Sequence, residues 1–137
     1  ENNHTITTEI YSQQLQRLRE ALLNKRPAMV NRKGVILLHD NARPHVAKMT
    51  QKKIQEFGWE VLPHPPYSPD IAPTDYHLFC LLQNHLAEKH FEDYNPLNSN
   101  LTEFVASKTP QFYKSGIEQL PLRWTTIVDN NGEYFND

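Results

Sequence analysis

Two carboxylates, Asp40 and Asp75, stand in the chain with 34 residues between them. The first follows the apolar run Val35-Ile36-Leu37-Leu38 within the string His39-Asp40-Asn41. The second lies in Thr74-Asp75-Tyr76-His77-Leu78-Phe79, behind a stretch holding Pro63, Pro65, Pro66, Pro69 and Pro73. Carboxylates are the hard oxygen donors that Mg²⁺ selects, one or two of them completing a shell of water and phosphate oxygens. Two such ions about 3.5–4 Å apart stabilise both the attacking and the leaving oxygen of an in-line displacement at phosphorus. The pattern therefore predicts a phosphoryl-transfer site in which Asp40 and Asp75 meet as metal ligands. Either residue taken alone reads as a turn or helix-start Asp, the commoner role in such places. The joint context of strand end, stiff connector and helix start favours the site.

His39, His45, His64 and His77 lie near these carboxylates in sequence. No two His fall at i, i+4 spacing, the arrangement by which a helix offers zinc a pair of ligands. Structural hydrogen bonding or substrate contact is the better reading of each. The His39-Asp40 pair is also found in metal phosphohydrolases, but there it sits in an all-helical domain, whereas here it ends a strand-like run. Trp59 and Trp124 read as core residues rather than base-stacking platforms.

Several elements must position the two carboxylates. Residues 1–4 read as frayed and Thr5 as the N-cap of a helix reaching about Asn24, with Tyr11, Leu15, Leu18 and Leu22 on one stripe. Residues 25–34 read as a basic loop ending on Gly34. Residues 35–39 have the look of a strand buried on both faces, and the carboxyl end of such a strand is where open α/β sheets place their chemistry. A helix from Pro44 to about Phe57 follows, stopped by Gly58, and residues 59–62 form a second strand, parallel to the first across a right-handed crossover. The proline-rich segment can be neither helix nor central strand and delivers Asp75 to a fixed place. Thr74 then caps a helix of about fourteen residues, with Asp75, Phe79, Leu82 and Leu86 on one stripe that turns Asp75 toward the sheet. Three further helices are expected, around Leu97–Val105, around Phe112–Ile117, and from Pro121 onward with Trp124, Ile127 and Val128 inward. Asn131-Gly132 ends the last, and Tyr134-Phe135 docks as a tail.

The chain is long enough for one domain with its own core, residues 1–137 forming a single unit by this reading. A net charge of −2 predicts no strong non-specific attraction to nucleic acid, so any basic surface is local. Lys25, Arg26, Arg32 and Lys33 make one such cluster and Lys48, Lys52 and Lys53 another. One cysteine, Cys80, rules out an internal disulfide and a multi-Cys zinc site. No apolar run reaches the roughly 20 residues needed to span a bilayer. A soluble, intracellular protein without membrane contact is expected.

The strings ILLHDNARPHVA (residues 36–47), EVLPHPPYSPDIAPTDYHLF (60–79) and the ending RW…V…NGEYF (123–135) resemble the catalytic domain of mariner-type transposases. The resemblance covers essentially the whole chain and its motifs are long and specific. It implies an α/β ribonuclease-H-like fold of the DDE/D transposase and integrase superfamily. It also implies cutting and joining of transposon-end DNA to target DNA with Mg²⁺ or Mn²⁺, in the nucleus, with no small-molecule cofactor. The family's second and third catalytic aspartates map onto Asp40 and Asp75, and Asn41, Arg43, His45 and Lys48 are then placed to contact DNA. The family's first catalytic Asp belongs to the first strand of the fold, and residues 1–34 contain no Asp; Glu9 and Glu20 lie on the expected helix and Glu1 at the terminus. The resemblance is thus to a partial catalytic domain without its first strands, inactive as an isolated chain. Either the chain is a fragment of a longer one, or its open sheet edge pairs with a second copy as a homodimer. The alternative is a non-catalytic remnant that keeps DNA-binding or dimerisation surfaces.

Overall fold

A computed structural model describes residues 5–87 and 89–131. The expectations for residues 1–4, Gly132, Tyr134 and Phe135 lie outside the described residues. The chain divides into two compact units, Glu1–Tyr67 and Ser68–Asp137.

In the first unit, α1 (Thr8–Lys25) begins two residues later than the sequence suggests. Thr7, not Thr5, is the N-cap; its hydroxyl accepts from the Ile10 N–H at 3.3 Å. The expected basic loop contains a π-helical turn, Met29–Lys33, before Gly34 takes a positive φ of 77°. Two short strands follow, β1 (Ile36–Leu37) and β2 (Glu60–Val61), paired in parallel with Ile36 opposite Glu60. The crossover between them is α2 (Arg43–Val46) and α3 (Lys48–Phe57), broken at Ala47 rather than continuous. Gly58 ends α3 with φ 70°, and its N–H returns to the carbonyls of Gln55 and Ile54, a left-handed stop that glycine adopts without a Cβ penalty.

Leu15, Val35, Ile54 and Trp59 are buried together, with Tyr11, Leu22, Met29, Val30, Leu37 and Phe57 packed around them. Strand β1 departs from the expectation of burial on both faces. Val35 is buried and Leu37 half-buried, but Ile36 is 64% exposed. Side chains alternate across a strand, so Val35 and Leu37 share the covered face and Ile36 the other. Among the described residues β2 is the only strand beside β1.

In the second unit, a 3₁₀ turn (Pro69–Ile71) and a π-helical turn (Thr74–Phe79) lead into α4 (Cys80–Leu86), followed by α5 (Tyr94–Ser107) and α6 (Pro110–Asp129). The fourteen-residue helix expected from Thr74 is therefore a π turn joined to a short α-helix. Thr74 is the first residue of that turn and makes no side-chain cap. A π turn is wider than an α turn, so the expected i, i+4 stripe breaks and Phe79 is 48% exposed. The last two expected helices are one. Thr109 caps α6 by accepting from the Phe112 N–H at 3.1 Å, and the helix runs through Pro121. Proline inside a helix costs about 3 kcal/mol; here the face bearing Gly116, Leu120 and Arg123 is buried on both sides of it. Val128, expected inward, is 67% exposed, whereas Ile71 is completely buried and Phe104 nearly so. No described helix is long and apolar enough to cross a membrane.

Candidate metal-binding site and its relatives

Asp40 lies three residues past β1, immediately before the turn that starts α2. Its Oδ1 accepts the Ala42 N–H at 2.9 Å and lies 2.6 Å from Nδ1 of His45. An ionised carboxylate has no proton to give, so Nδ1 of His45 is the donor. The Ala42 N–H first, and the His45 hydrogen bond after it, hold the Asp40 carboxyl below the usual carboxylate value and keep it charged. No described residue donates to Oδ2, and the side chain is 62% exposed. An ionised, accessible carboxylate oxygen fits a divalent hard cation.

Asn41 turns the other way: its Nδ2 donates to the His64 carbonyl at 2.7 Å, tying the chain after β1 to the chain after β2. Behind His45 lies Tyr11 of α1. Its ring centroid is 4.1 Å from that of His45, and its hydroxyl lies 2.7 Å from Nδ1 of His39. The rings of His39 and His45 stack 5.1 Å apart, 3° from parallel. Burial, and then the Asp40 charge, push the Tyr11 hydroxyl up to about 12, while burial first and His45 second lower the pKa of His39. A protonated phenol thus meets a neutral imidazole. Beside this cluster a cavity of about 300 Å³ is lined by His39, Asn41, His45, Ile54, Trp59 and His64, among others. Nε1 of Trp59 and Nδ1 of His64 are buried without a hydrogen-bond partner. The expectation that Trp59 belongs to the core holds, since it is 7% exposed.

Asp75 is carried by the second unit, exposed in the π turn, its N–H donating to the Ala72 carbonyl at 2.9 Å. The two residues after it are locked to α6. The Tyr76 hydroxyl donates to the Gly116 carbonyl at 2.6 Å, and the Arg123 guanidinium lies 4.0 Å over the Tyr76 ring. Arg123, 8% exposed, also donates to the Asp70 carbonyl at 3.2 Å. Burial raises the Tyr76 hydroxyl pKa against the opposing pull of Arg123. His77 donates from Nε2 to the Phe112 carbonyl at 2.7 Å and stacks on the Phe112 ring at 4.2 Å. Gly116 faces the His77 ring so closely that a Cβ there would stand 2.4 Å from its Cδ2.

The predicted site residues therefore fall on both units, Asp40, Asn41, Arg43, His45 and Lys48 on the first and Asp75 on the second. Arg43 and Lys48 are exposed at the starts of α2 and α3. Nδ1 of His45 is occupied by Asp40. Among the described residues no group of three or more His, Cys, Asp and Glu is placed to share one metal ion. Sequence reasoning missed Tyr11, which it assigned to an apolar stripe, and the grip of Tyr76, Gly116 and Arg123. The available signal was a glycine in a helical pattern, four residues after Phe112 and four before Leu120, which marks close packing.

No protein-family model matches the chain. It is 52% identical to human histone-lysine N-methyltransferase SETMAR over 132 residues, 96% of this chain and 19% of that protein. It is 45% identical to the mariner Mos1 transposase of Drosophila mauritiana over 131 residues, 95% of this chain and 38% of the transposase. The chain thus spans less than half the length of either relative. The Mos1 transposase catalytic domain, solved with raltegravir and Mg, superposes with a TM-score of 0.94 at 44% identity, covering 98% of this chain and 67% of that one. The Mos1 paired-end complex with Mn matches with a TM-score of 0.92 at 43% identity, covering 98% and 39%. The short parallel pair, its crossover helices and the helices that follow are accordingly part of a ribonuclease-H-like transposase catalytic domain. The chain belongs to the mariner transposase family.

Proposed function

We propose that Asp40 and Asp75 hold divalent metal, Mg²⁺ or Mn²⁺, in a centre that cuts transposon-end DNA and joins it to target DNA. The observation that carries this reading is the setting of Asp40: Oδ1 is fixed by two hydrogen bonds while the side chain is 62% exposed. Its support from relatives is the similarity to a catalytic domain solved with Mg and to a paired-end complex solved with Mn. Bound metal supplies the Lewis acidity that activates the attacking oxygen and neutralises the leaving one. The chain's own residues hold two carboxylates for it and offer Arg43, Lys48 and the second N–H of the Asn41 amide, whose first is taken by the His64 carbonyl, for DNA phosphates. Contacts of that kind position nucleic acid without reading its sequence. The same reading places the protein in the nucleus and pairs it as a homodimer.

Two carboxylates do not balance two divalent ions. We infer that these 137 residues do not cut DNA by themselves and serve within a larger catalytic assembly. The test is a nicking assay on mariner-end DNA with Mn²⁺, comparing the 137-residue chain with a chimera that places it behind the upstream part of the Mos1 transposase. No nicking by the chain, and nicking by the chimera that Asp40→Ala or Asp75→Ala abolishes, is the expected result. Nicking by the chimera that survives either substitution would remove that residue from the site. A chimera that binds end DNA but never nicks it, with both aspartates intact, would favour a non-catalytic remnant.

A further inference from the structure

The chain builds a support for Asp40 that does not consist of metal ligands. Oδ1 of Asp40 is held from two directions, by the Ala42 N–H and by Nδ1 of His45. His45 is itself held, 22% exposed at its side chain, between the ring of Tyr11 and the parallel ring of His39. The Tyr11 hydroxyl binds His39 at 2.7 Å and so fixes the second plate of the stack. An imidazole so packed has little freedom to swing out toward a DNA phosphate through Nδ1.

We propose that His45 is a positioning residue that orients the Asp40 carboxylate, leaving Oδ2 as the oxygen for a divalent cation, and that Tyr11 and His39 hold the His45 ring in the required place. The proposal rests on the reading of Asp40 as a metal ligand and assigns His45 a role other than DNA contact. A carboxylate that donates one oxygen to a cation while the other accepts fixed hydrogen bonds loses less freedom on binding. Removing such an outer partner typically weakens metal affinity about 10–100-fold. Tyr11 lies on α1, 28 residues before His39, so the amino-terminal helix is part of the support rather than only a cover for the sheet.

Two measurements on the full chain test this. The first needs no metal. In ¹⁵N-histidine-labelled protein at about pH 8, where an ordinary imidazole is neutral, His45 is expected to carry its proton on Nδ1. In Asp40→Ala the proton is expected to move to Nε2. A His45 proton already on Nε2 in the unaltered chain overturns the proposal. The second is a Mn²⁺ titration followed by electron paramagnetic resonance. His45→Ala is expected to weaken binding about tenfold. His45→Asn, whose amide donates from close to the place of Nδ1, is expected to recover most of that loss. Tyr11→Phe keeps the packing ring but loses the hydroxyl, and a smaller weakening is expected. His45→Ala binding Mn²⁺ like the unaltered chain, while Asp40→Ala loses it, overturns the positioning role and leaves Asp40 as a ligand. Asp40→Ala binding Mn²⁺ unchanged overturns the ligand reading itself. A loss in His45→Ala that tracks a fall in thermal midpoint and is not recovered by Asn identifies a packing residue and also overturns the proposal.

Discussion

The two units fix their aspartates by different means. In the first, the carboxylate itself is gripped: Oδ1 of Asp40 takes two hydrogen bonds, one from the backbone two residues on and one from His45. In the second, the residues that follow the aspartate are gripped. Tyr76 and His77 are tied to the carbonyls of Gly116 and Phe112 on α6, and Asp75 rides on the turn they anchor. Side-chain positioning is local and weakly linked to stability, because an exposed hydrogen bond contributes little when its groups can turn to water. Backbone positioning depends on close packing, so a change that disturbs it disturbs the unit. The contrast predicts that substitutions around Asp75 cost folding stability, while those around Asp40 cost mainly metal affinity.

The largest effect is expected at Gly116. Alanine favours a helix interior by about 1 kcal/mol over glycine, but its Cβ would meet a His77 ring held by both a hydrogen bond and a stack. Overpacking of this kind costs about 1–3 kcal/mol. Gly116→Ala should therefore lower the denaturation midpoint, and in a His77→Ala background the same change should be neutral or stabilising. A cycle without that coupling would break the account of the second unit. Tyr76→Phe comes next. It leaves the ring under Arg123 and the Gly116 carbonyl without its donor, a loss of about 1 kcal/mol measured by chemical denaturation.

Effects in the first unit are smaller and read by titration. The Tyr11 hydroxyl, raised from 10.0 to about 12, binds its proton more tightly folded than unfolded. Its contribution is complete below about pH 10 and is lost as pH rises toward 12. Tyrosine ¹³Cζ spectra should show one resonance ionising near 12 that Tyr11→Phe removes. The Asp40 shift has the opposite sign. Its lowered value contributes above the ordinary carboxylate pKa and is lost as pH falls through the folded one. The side chain is 62% exposed, so Asp40→Asn should flatten the acid limb of the stability curve only slightly.

Much of this arrangement is legible in the sequence. The parallel pair, the stop at Gly58 and the turn at Asp40 follow from local signals: β-branched residues, a glycine after an amphipathic run, and a polar string after an apolar one. What the sequence hides depends on partners far along the chain. Tyr11 meets His39 across 28 residues and His77 meets Phe112 across 35. In a stripe of apolar residues, Tyr11 looks like core until its hydroxyl finds a partner. Pro121 looks like a helix start because its local cost is plain, while the burial of Leu120 and Arg123 on either side is not. The π turn at Asp75 is hidden for the same reason. Its i, i+4 apolar pattern is helical, and the wider turn is set where Tyr76 and His77 reach α6.

Anomalous diffraction from crystals of the chain grown in Mn²⁺ would show whether Asp40 and Asp75 are ligands of one metal centre. A manganese peak is expected within direct coordination distance of carboxylate oxygens from both Asp40 and Asp75, with Oδ1 of Asp40 still bonded to Ala42 and His45. Manganese bound by one aspartate alone with the other carboxylate turned away, or bound only elsewhere on the protein, would contradict it.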